Sequence, residues 1–298
     1  MTLGLALEEG RAIAVGVEGD GTVAARAVVD AAEGDLAAAA DRALEQVGAG
    51  EANPGLLGLA TAIPDAPPVA AVVSALAPRF EGPFRRHGAM PSGTAAAVAE
   101  AWIGAGRGVQ DLVYFGCGDH TVGGTVRGGV AVGGARGRAT SVAWLALNPV
   151  EREDYRKIGC LEAEVAAPGI VRRLIWRIKA GDRSHVLDAV AGDFAAITVR
   201  HVLDAARQRD GVSISVMRDT AKYLGMAAAN LVAVADPELL VLGGIMASAA
   251  DLLLDPLRTE IARRLPKPMF DALRIETARL GEDAAAIGAA RHASVALP

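Results

Sequence analysis

Cysteine is almost missing from this chain: Cys117 and Cys160 are the only two in 298 residues. Two cannot make the disulfide framework of a small secreted fold, and a chain of this length can bury a core without one. Aromatic residues are scarce at 4% while hydrophobic residues reach 52%, much of it alanine. The core must therefore be built from small aliphatic side chains packed closely. A basic excess is also missing: Lys plus Arg is 30 against 35 Asp plus Glu, a net charge of -5. Nucleic-acid binders draw most of their affinity from phosphate neutralisation, so no nucleic-acid partner is expected. No uncharged apolar run reaches the roughly eighteen residues of a membrane span. Met1 to Leu7 lacks the basic start and long apolar stretch of a secretory leader. No membrane partner is expected, and the expected location is cytoplasmic. Charged residues at 22% beside so large an apolar share exclude disorder as the main state.

What is present reads as alternating strands and helices. Leu3 to Leu7, Ala12 to Val17 and Val23 to Val28 read as short strands, with Gly19-Asp20-Gly21 as a hairpin signal. Asp35 to Val47 has apolar residues at helical spacing. Gly55 to Ala62 reads as a buried strand, and Pro67 and Pro68 open a helix to Leu76. Pro91 to Trp102 reads as a helix, and the glycines of Gly104 to Gly108 mark a domain boundary. A strand at Asp111 to Cys117 and a glycine-punctuated hairpin at Val122 to Val132 then repeat the opening pattern. Two copies of one β-rich α/β unit are the simplest account. Helices follow at Gly169 to Lys179, Val199 to Gln208, Ser213 to Ala235 and Ala249 to Arg264, with strands at Glu238 to Leu242 and Leu273 to Ala278 and a last helix at Gly281 to Ala293. Three basic clusters stand out: Arg85-Arg86, Arg172-Arg173 with Arg177 and Lys179, and Arg263-Arg264 with Lys267. With acidic neighbours around them they read as solvated helix faces rather than phosphate-binding patches.

The stretch Asp236 to Gly244 (Asp-Pro-Glu-Leu-Leu-Val-Leu-Gly-Gly) resembles the adenosine-loop region of the ROK family of repressors, uncharacterised frames and sugar kinases. Tyr223 to Leu231 resembles the helix leading into it, and Ala278 to Ala290 the family's final helix. Ala95 to Glu100, Gly104 to Gly108 and Gly159-Cys160-Leu161-Glu162 are similar as well, in family order along the chain. The resemblance implies a two-domain actin-like (ribonuclease H-like) ATPase and sugar-kinase fold of the α/β class. The domains implied are a small one over 1–110, a larger one over 111–280, and a helix at 281–298 that packs back on the first. Nucleotide and sugar would bind in a cleft, and a homodimer is implied.

Phosphoryl transfer to a sugar needs phosphates held by backbone amides and a metal, a carboxylate base, and an aligned hydroxyl. The family's first phosphate loop, Asp-x-Gly-Gly-Thr-Lys, matches Ala6-Leu7-Glu8-Glu9-Gly10-Arg11, where only Arg11 keeps its basic character. A carboxylate about 4 Å from a phosphate charge costs on the order of 4 kcal/mol. Glu8 and Glu9 therefore either repel a triphosphate or project to solvent. The family's catalytic Asp aligns with Ser92, whose hydroxyl cannot act as a base near neutral pH. Ser92 and Thr94 read as helix N-caps, with a nucleophile as the alternative reading of Ser92. The second phosphate loop matches Gly118-Asp119-His120-Thr121-Val122-Gly123-Gly124, where Asp119 adds negative charge and His120 is either structural or a ligand or acid. The family's zinc ligands match Trp144, Glu153, Tyr155 and Cys160, so one of four is retained and zinc is not expected. A sugar-contacting Glu of the family aligns with Ser141 and a sugar-contacting His with Trp144.

By resemblance the candidate sugar-side residues are Glu162, Trp144, Ser141 and Thr94, and those on the nucleotide side are Gly118, Gly123, Gly124, Gly243, Gly244 and Arg11. Glu162 and Trp144 also read, respectively, as a helix-surface carboxylate and a filler for the missing zinc. The pattern points to a sugar-kinase homologue without phosphoryl transfer, a pseudokinase that binds a sugar-like metabolite or serves as a subunit, with no cofactor. The alternative is an atypical kinase using ATP and Mg²⁺ with Glu8, Glu9 or Asp119 as substitute acids. Repressors of the family carry a winged helix-turn-helix ahead of the first loop, for which this chain has no room, so DNA binding is not expected.

Overall fold

The computed structural model describes residues 1–8, 10–32, 35–48 and 55–296. Its contacts fall into two compact units. The first comprises Met1–Tyr114, Val122–Thr140 and Ala278–Pro298, and the second Phe115–Thr121 and Ser141–Thr277. The domains expected from sequence were 1–110 and 111–280; by contacts the segment Val122–Thr140 clusters with the first unit.

The first sheet contains β1 (Thr2–Glu8), β2 (Arg11–Val17), β3 (Val23–Asp30), β4 (Leu57–Thr61) and β5 (Met90–Pro91), in the order β3-β2-β1-β4-β5. β1, β2 and β3 form an antiparallel meander, whereas β1 pairs parallel with β4. The second sheet contains β6 (Leu112–Cys117), β7 (Thr121–Arg127), β8 (Val130–Ala131), β9 (Leu239–Gly244) and β10 (Arg274–Thr277), in the order β10-β9-β6-β7-β8. Read in the opposite direction, this is the order of the first sheet, so the internal repeat seen in the strand pattern is a repeat of topology. β1 and β2 are buried on both faces, which accounts for their unbroken apolar runs.

The C-terminal helix Ala284–Ala296 belongs to the first unit and lies on β1, β2, β4 and the helix Ser92–Trp102. It lies so near them that backbone meets backbone. A Cβ on Gly4 would collide with the Ala286 carbonyl, one on Gly58 with the Ala289 carbonyl, and one on Gly288 with the Ala95 carbonyl. This packing mode explains the composition: alanine and glycine fill the layer where larger side chains would hold the elements apart. The larger apolar residues gather on the other face of the sheet, around Leu5, Leu7, Leu44, Leu57, Leu76 and Phe84.

A buried carboxylate fixes the return of the chain. Glu100 is 0% exposed and accepts from the backbone amides of Ala105 (2.7 Å), Arg279 (2.9 Å) and Leu280 (3.0 Å). A buried charge is tolerated when several donors satisfy it. In the second unit the helix Gly211–Ala235 begins at Asp210, whose side chain accepts from the Ser213 amide as an N-cap.

Gly288→Ala should destabilise the protein by about 1–3 kcal/mol, the usual cost of forcing an extra methyl into a filled contact. Gly19→Ala, where the added Cβ meets nothing, should stay within about 0.5 kcal/mol of the parent. Thermal unfolding of the two variants side by side checks this.

Candidate functional site

The loop that aligns with the first phosphate loop is a tight β1–β2 turn. Gly10 sits at φ +76 and Glu8 faces Arg11 across the ladder. Arg11 Nε donates to Glu8 at 2.7 Å and Nη1 to Glu282 at 3.0 Å. Burial opposes the charged guanidinium, but the carboxylates of Glu8 and Glu282 outweigh it and raise its pKa. Arg26 extends the network to Glu282 and, at 2.8 Å, to Asp283. The one basic side chain of this loop is thus engaged by the protein's own acids. Glu9 lies outside the described residues. Ala6, at the position of the family's Asp, is buried against Ile13, Val15 and Ala286.

Ser92 is the first residue of the helix Ser92–Trp102, and the N-cap is Pro91 in extended conformation with no side-chain cap hydrogen bond. The capping expected of Ser92 and Thr94 is therefore not made, because both already lie inside the helix. Thr94 is buried. The glycine positions are governed by close approach. A Cβ on Gly93 would strike the backbone of Gly123, and one on Gly124 the carbonyl of Gly93. Gly118 closes a turn by donating its amide to the His120 carbonyl at 2.9 Å. Gly243 is buried at the end of β9, and Gly244, at φ +63, has no room for a Cβ beside the Cys117 carbonyl. Packing alone thus accounts for glycine at 93, 124 and 244.

The second unit assembles a site around Glu162, which is 9% exposed on the short helix Cys160–Val165. Its Oε2 accepts from the Thr121 amide at 2.9 Å and the Thr121 hydroxyl at 3.2 Å, and its Oε1 lies 3.0 Å from His120 Nδ1. Glu162 is therefore not the surface carboxylate that was one of its two readings. His120 belongs to a His–carboxylate pair, an arrangement that orients an imidazole for proton transfer or for hydroxyl recognition. Asp119 is exposed. Residues 120 and 162 are 42 positions apart in sequence; each was singled out separately, and their pairing was not.

Trp144 ends a single-turn 3-10 helix, Val142–Trp144, that packs on the helix Cys160–Val165. At 57% exposed it does not fill a buried void. Ser141 precedes that turn and is exposed. The positions matching the zinc ligands have separate partners. The Glu153 side chain is 83% exposed and pairs with Lys157, whereas Tyr155 and Cys160 pack with Ala163 in a small buried cluster. Among the described residues no group of three or more His, Cys, Asp or Glu is placed to hold a metal ion. Polar contacts hold the segment. Tyr155 donates its hydroxyl to the buried Glu164, Asn148 donates to Tyr155 at 3.1 Å, and Arg152 reaches Glu164 at 3.2 Å. Burial and Glu164 push the Tyr155 phenol well above its ordinary value. Burial, with Glu162 and Asp119 nearby, pushes the Cys117 thiol up to about 12, so it is no nucleophile near neutral pH.

A ROK family profile matches residues 71–295. This chain belongs to the ROK family. Among curated relatives, a glucokinase of Halalkalibacterium halodurans is 33% identical over 199 residues, covering 65% of this chain and 59% of its own length. A glucokinase of Thermotoga maritima is 28% identical, covering 65% and 61%. A xylose repressor of Caldicellulosiruptor bescii is 28% identical, covering 65% and 48%. The match thus spans about three fifths of the length of the glucokinases. Among solved structures, a ROK glucokinase of Streptomyces griseus in complex with glucose and AMPPNP superposes with a TM-score of 0.77 at 23% identity, covering 98% of this chain and 99% of that one. A ROK hexokinase of Thermus thermophilus superposes with a TM-score of 0.72 at 24% identity, covering 100% and 99%. This ROK protein therefore has the two-sheet α/β, actin-like fold of the ROK sugar kinases. No described helix is long and apolar enough to cross a membrane.

Two outcomes follow from this geometry. Glu162→Ala should cost about 1–3 kcal/mol by leaving the buried Thr121 amide unsatisfied, whereas Asp119→Asn should change stability by less than about 0.5 kcal/mol. Denaturant unfolding of both variants reads the difference. The three tyrosines, Tyr114, Tyr155 and Tyr223, all have raised pKa values, with burial the leading cause. A raised folded value favours the neutral phenol, so this stabilisation is complete below the unfolded tyrosine pKa of about 10 and fades as pH rises above it. At pH 10 the native protein should show less phenolate absorbance than the unfolded chain, and unfolding should bring the signal in.

Proposed function

We propose that this ROK protein binds a sugar-like metabolite on the Glu162 side and does not transfer phosphate to it. The observation that carries the reading is the engagement of Arg11 by Glu8 and Glu282 in the loop that would have to receive a polyphosphate. An incoming phosphate has to displace these ion pairs and approach the carboxylates that remain. Ser92 at the position of the base supports the same conclusion, since a positioned base typically contributes 10²–10⁴-fold to such a reaction. The residues present do not suit a nucleotide-bound Mg²⁺, because Ala6 offers a methyl where the family has a carboxylate.

The sugar side retains its polar anchor. Glu162 is held by the Thr121 amide and paired with His120. It presents a charge-assisted acceptor to a hydroxyl, and the exposed Trp144 presents a ring face that a sugar can cover. Zinc is not required on this reading: the Tyr155–Glu164–Arg152 network joins the segment that the family staples with metal. A cytoplasmic homodimer is part of the same proposal, by analogy with the family.

One observation favours an active enzyme instead. The His120–Glu162 pair has the make-up of a general-base unit, and it suits that role better than Glu8, tied to Arg11, or Asp119, which is exposed. Glu9 lies outside the described residues.

Thermal unfolding with a panel of neutral sugars and with Mg-ATP separates the two readings. A sugar at about a hundredfold excess over its Kd adds about 2.7 kcal/mol, a rise of several degrees in Tm. Glu162→Gln should abolish that rise, while Mg-ATP leaves the unfolding curve unmoved and no ADP appears. ADP formation that depends on sugar and is lost in His120→Ala would overturn the proposal.

A further inference from the structure

The basic cluster Arg172-Arg173 reads in the sequence as a solvated helix face, and the structure places it in a recess. The recess lies within the second unit and has a volume of about 770 Å³, inside the range of about 300–1,000 Å³ usual for small-molecule sites. Two helices wall it. Ala167–Lys179 contributes Gly169, Arg172, Arg173 and Trp176, and Gly211–Ala235 contributes Asp219, Lys222, Tyr223 and Met226. Each set falls at i, i+3, i+4 and i+7, so each helix turns one continuous face to the recess. Leu147, Asn148 and Arg152 line it from the preceding loop, and Glu164 from the helix Cys160–Val165.

Its chemistry differs from that of the Glu162 site. Four cations line it, Arg152, Arg172, Arg173 and Lys222, against two carboxylates, Glu164 and Asp219. The buried Glu164 is shared between Arg152 at 3.2 Å and Arg173 at 2.9 Å, and Tyr155 also donates to it. Arg173 also donates to Thr220 at 3.1 Å and lies over the Tyr223 ring, so it is held in place. Asp154 and Asp219 pair with Arg172 and Lys222, leaving each of these two cations about half exposed. Counting Asp154, three acids face four cations, and the excess is positive. The apolar part is equally specific. In a protein with few aromatics, Trp176 stands 69% exposed at this recess beside Tyr223 and Met226. A rigid cationic wall next to an exposed indole suits a ligand with a flat or ring-shaped body and an anionic group.

We propose that this recess is a second binding site, for a small ring-bearing organic anion of the sugar phosphate or sugar acid class. It is distinct from the Glu162 site and does not depend on the function proposed for that site. Glu162 and Glu164 lie two residues apart on one short helix, about 200° around its axis, so they point to different surroundings. The other cations of the cluster are used elsewhere: Arg177 binds Asp182 and Ser215, and Lys179 lies over Phe194. The anion-facing set is therefore Arg152, Arg172, Arg173 and Lys222.

Tryptophan fluorescence of the full chain carrying Trp144→Phe, which silences the indole on the Glu162 side, tests this, titrated with glucose 6-phosphate, with glucuronate and with glucose as the uncharged control. Either anion should give a saturable change at millimolar concentration or below, and glucose at the same concentration should not. The response should vanish in Trp176→Phe, which keeps the fold by replacing an exposed ring. Lys222→Glu should weaken it at least tenfold. Glu162→Gln should leave it intact, which separates this site from the sugar-side proposal. Glucose 6-phosphate alone identifies a phosphate site, and response to both anions a general one. No saturable change with either anion, an equal change with glucose, or full response in Lys222→Glu would overturn the proposal. So would size-exclusion chromatography showing a dimer that Trp176→Ala dissociates, since the face would then be covered by a second copy.

Discussion

The structure depends on one close contact: the C-terminal helix lies on the first sheet and on the helix Ser92–Trp102 with no side chain between the backbones at Gly4, Gly58 and Gly288. Everything built on the first unit takes its position from this contact. Strands β1 and β4 are held at the distance a bare glycine permits. The helix that starts at Ser92 is set by its contacts with the same C-terminal helix on one side and by Gly93 against Gly123 on another. Dispersion falls off steeply with separation, so small residues packed tightly can replace the bulk of aromatic ones. A protein with 4% aromatics needs such an arrangement.

Three of the buried glutamates do three different things, set by what surrounds each carboxylate. Glu100 accepts from three backbone amides and joins the beginning of the C-terminal segment to the helix on which it lies. Glu162 pairs with His120 and the Thr121 amide, leaving a polar edge that a ligand can use. Glu164 gathers Tyr155, Arg152 and Arg173, and so joins the segment before it to the helix after it. One carboxylate, two guanidiniums and a phenol connect this part of the chain. Ion pairing also alters the first loop, where Arg11 keeps its charge but spends it on Glu8 and Glu282. Close packing by itself calls for glycine at 93, 124 and 244, whether or not a nucleotide does.

The elements that were legible in the sequence are those with enough length to show a period. The helix Pro67–Leu76 begins and ends where the prolines and the apolar spacing put it, and Val199–Arg207 and Gly211–Ala235 lie within a residue or two of their expected bounds. The short helices Phe84–His87, Glu153–Ile158 and Cys160–Val165 were not legible, because four to six residues hold less than two turns and leave no repeat to count. The expected capping by Ser92 failed for a related reason. Pro91 can occupy the N-cap itself, and a boundary shifted by one residue moves a hydroxyl from the cap into the first turn. Of the candidate site, Glu162 was legible through its Gly-Cys-Leu-Glu setting. Its burial and its pairing with His120 were not.

By itself the amino-acid sequence determined the α/β class, the repeated strand pattern, the small-residue layers and membership of the ROK family, because these are local periodicities and short signatures in order along the chain. Only the tertiary structure decided which carboxylates are buried and what each one faces. Glu100 meets Arg279 across 179 positions and Glu162 meets His120 across 42. A hydrogen bond over such separations forms only once the chain has returned on itself, and no periodicity along the chain encodes which donor will be waiting there.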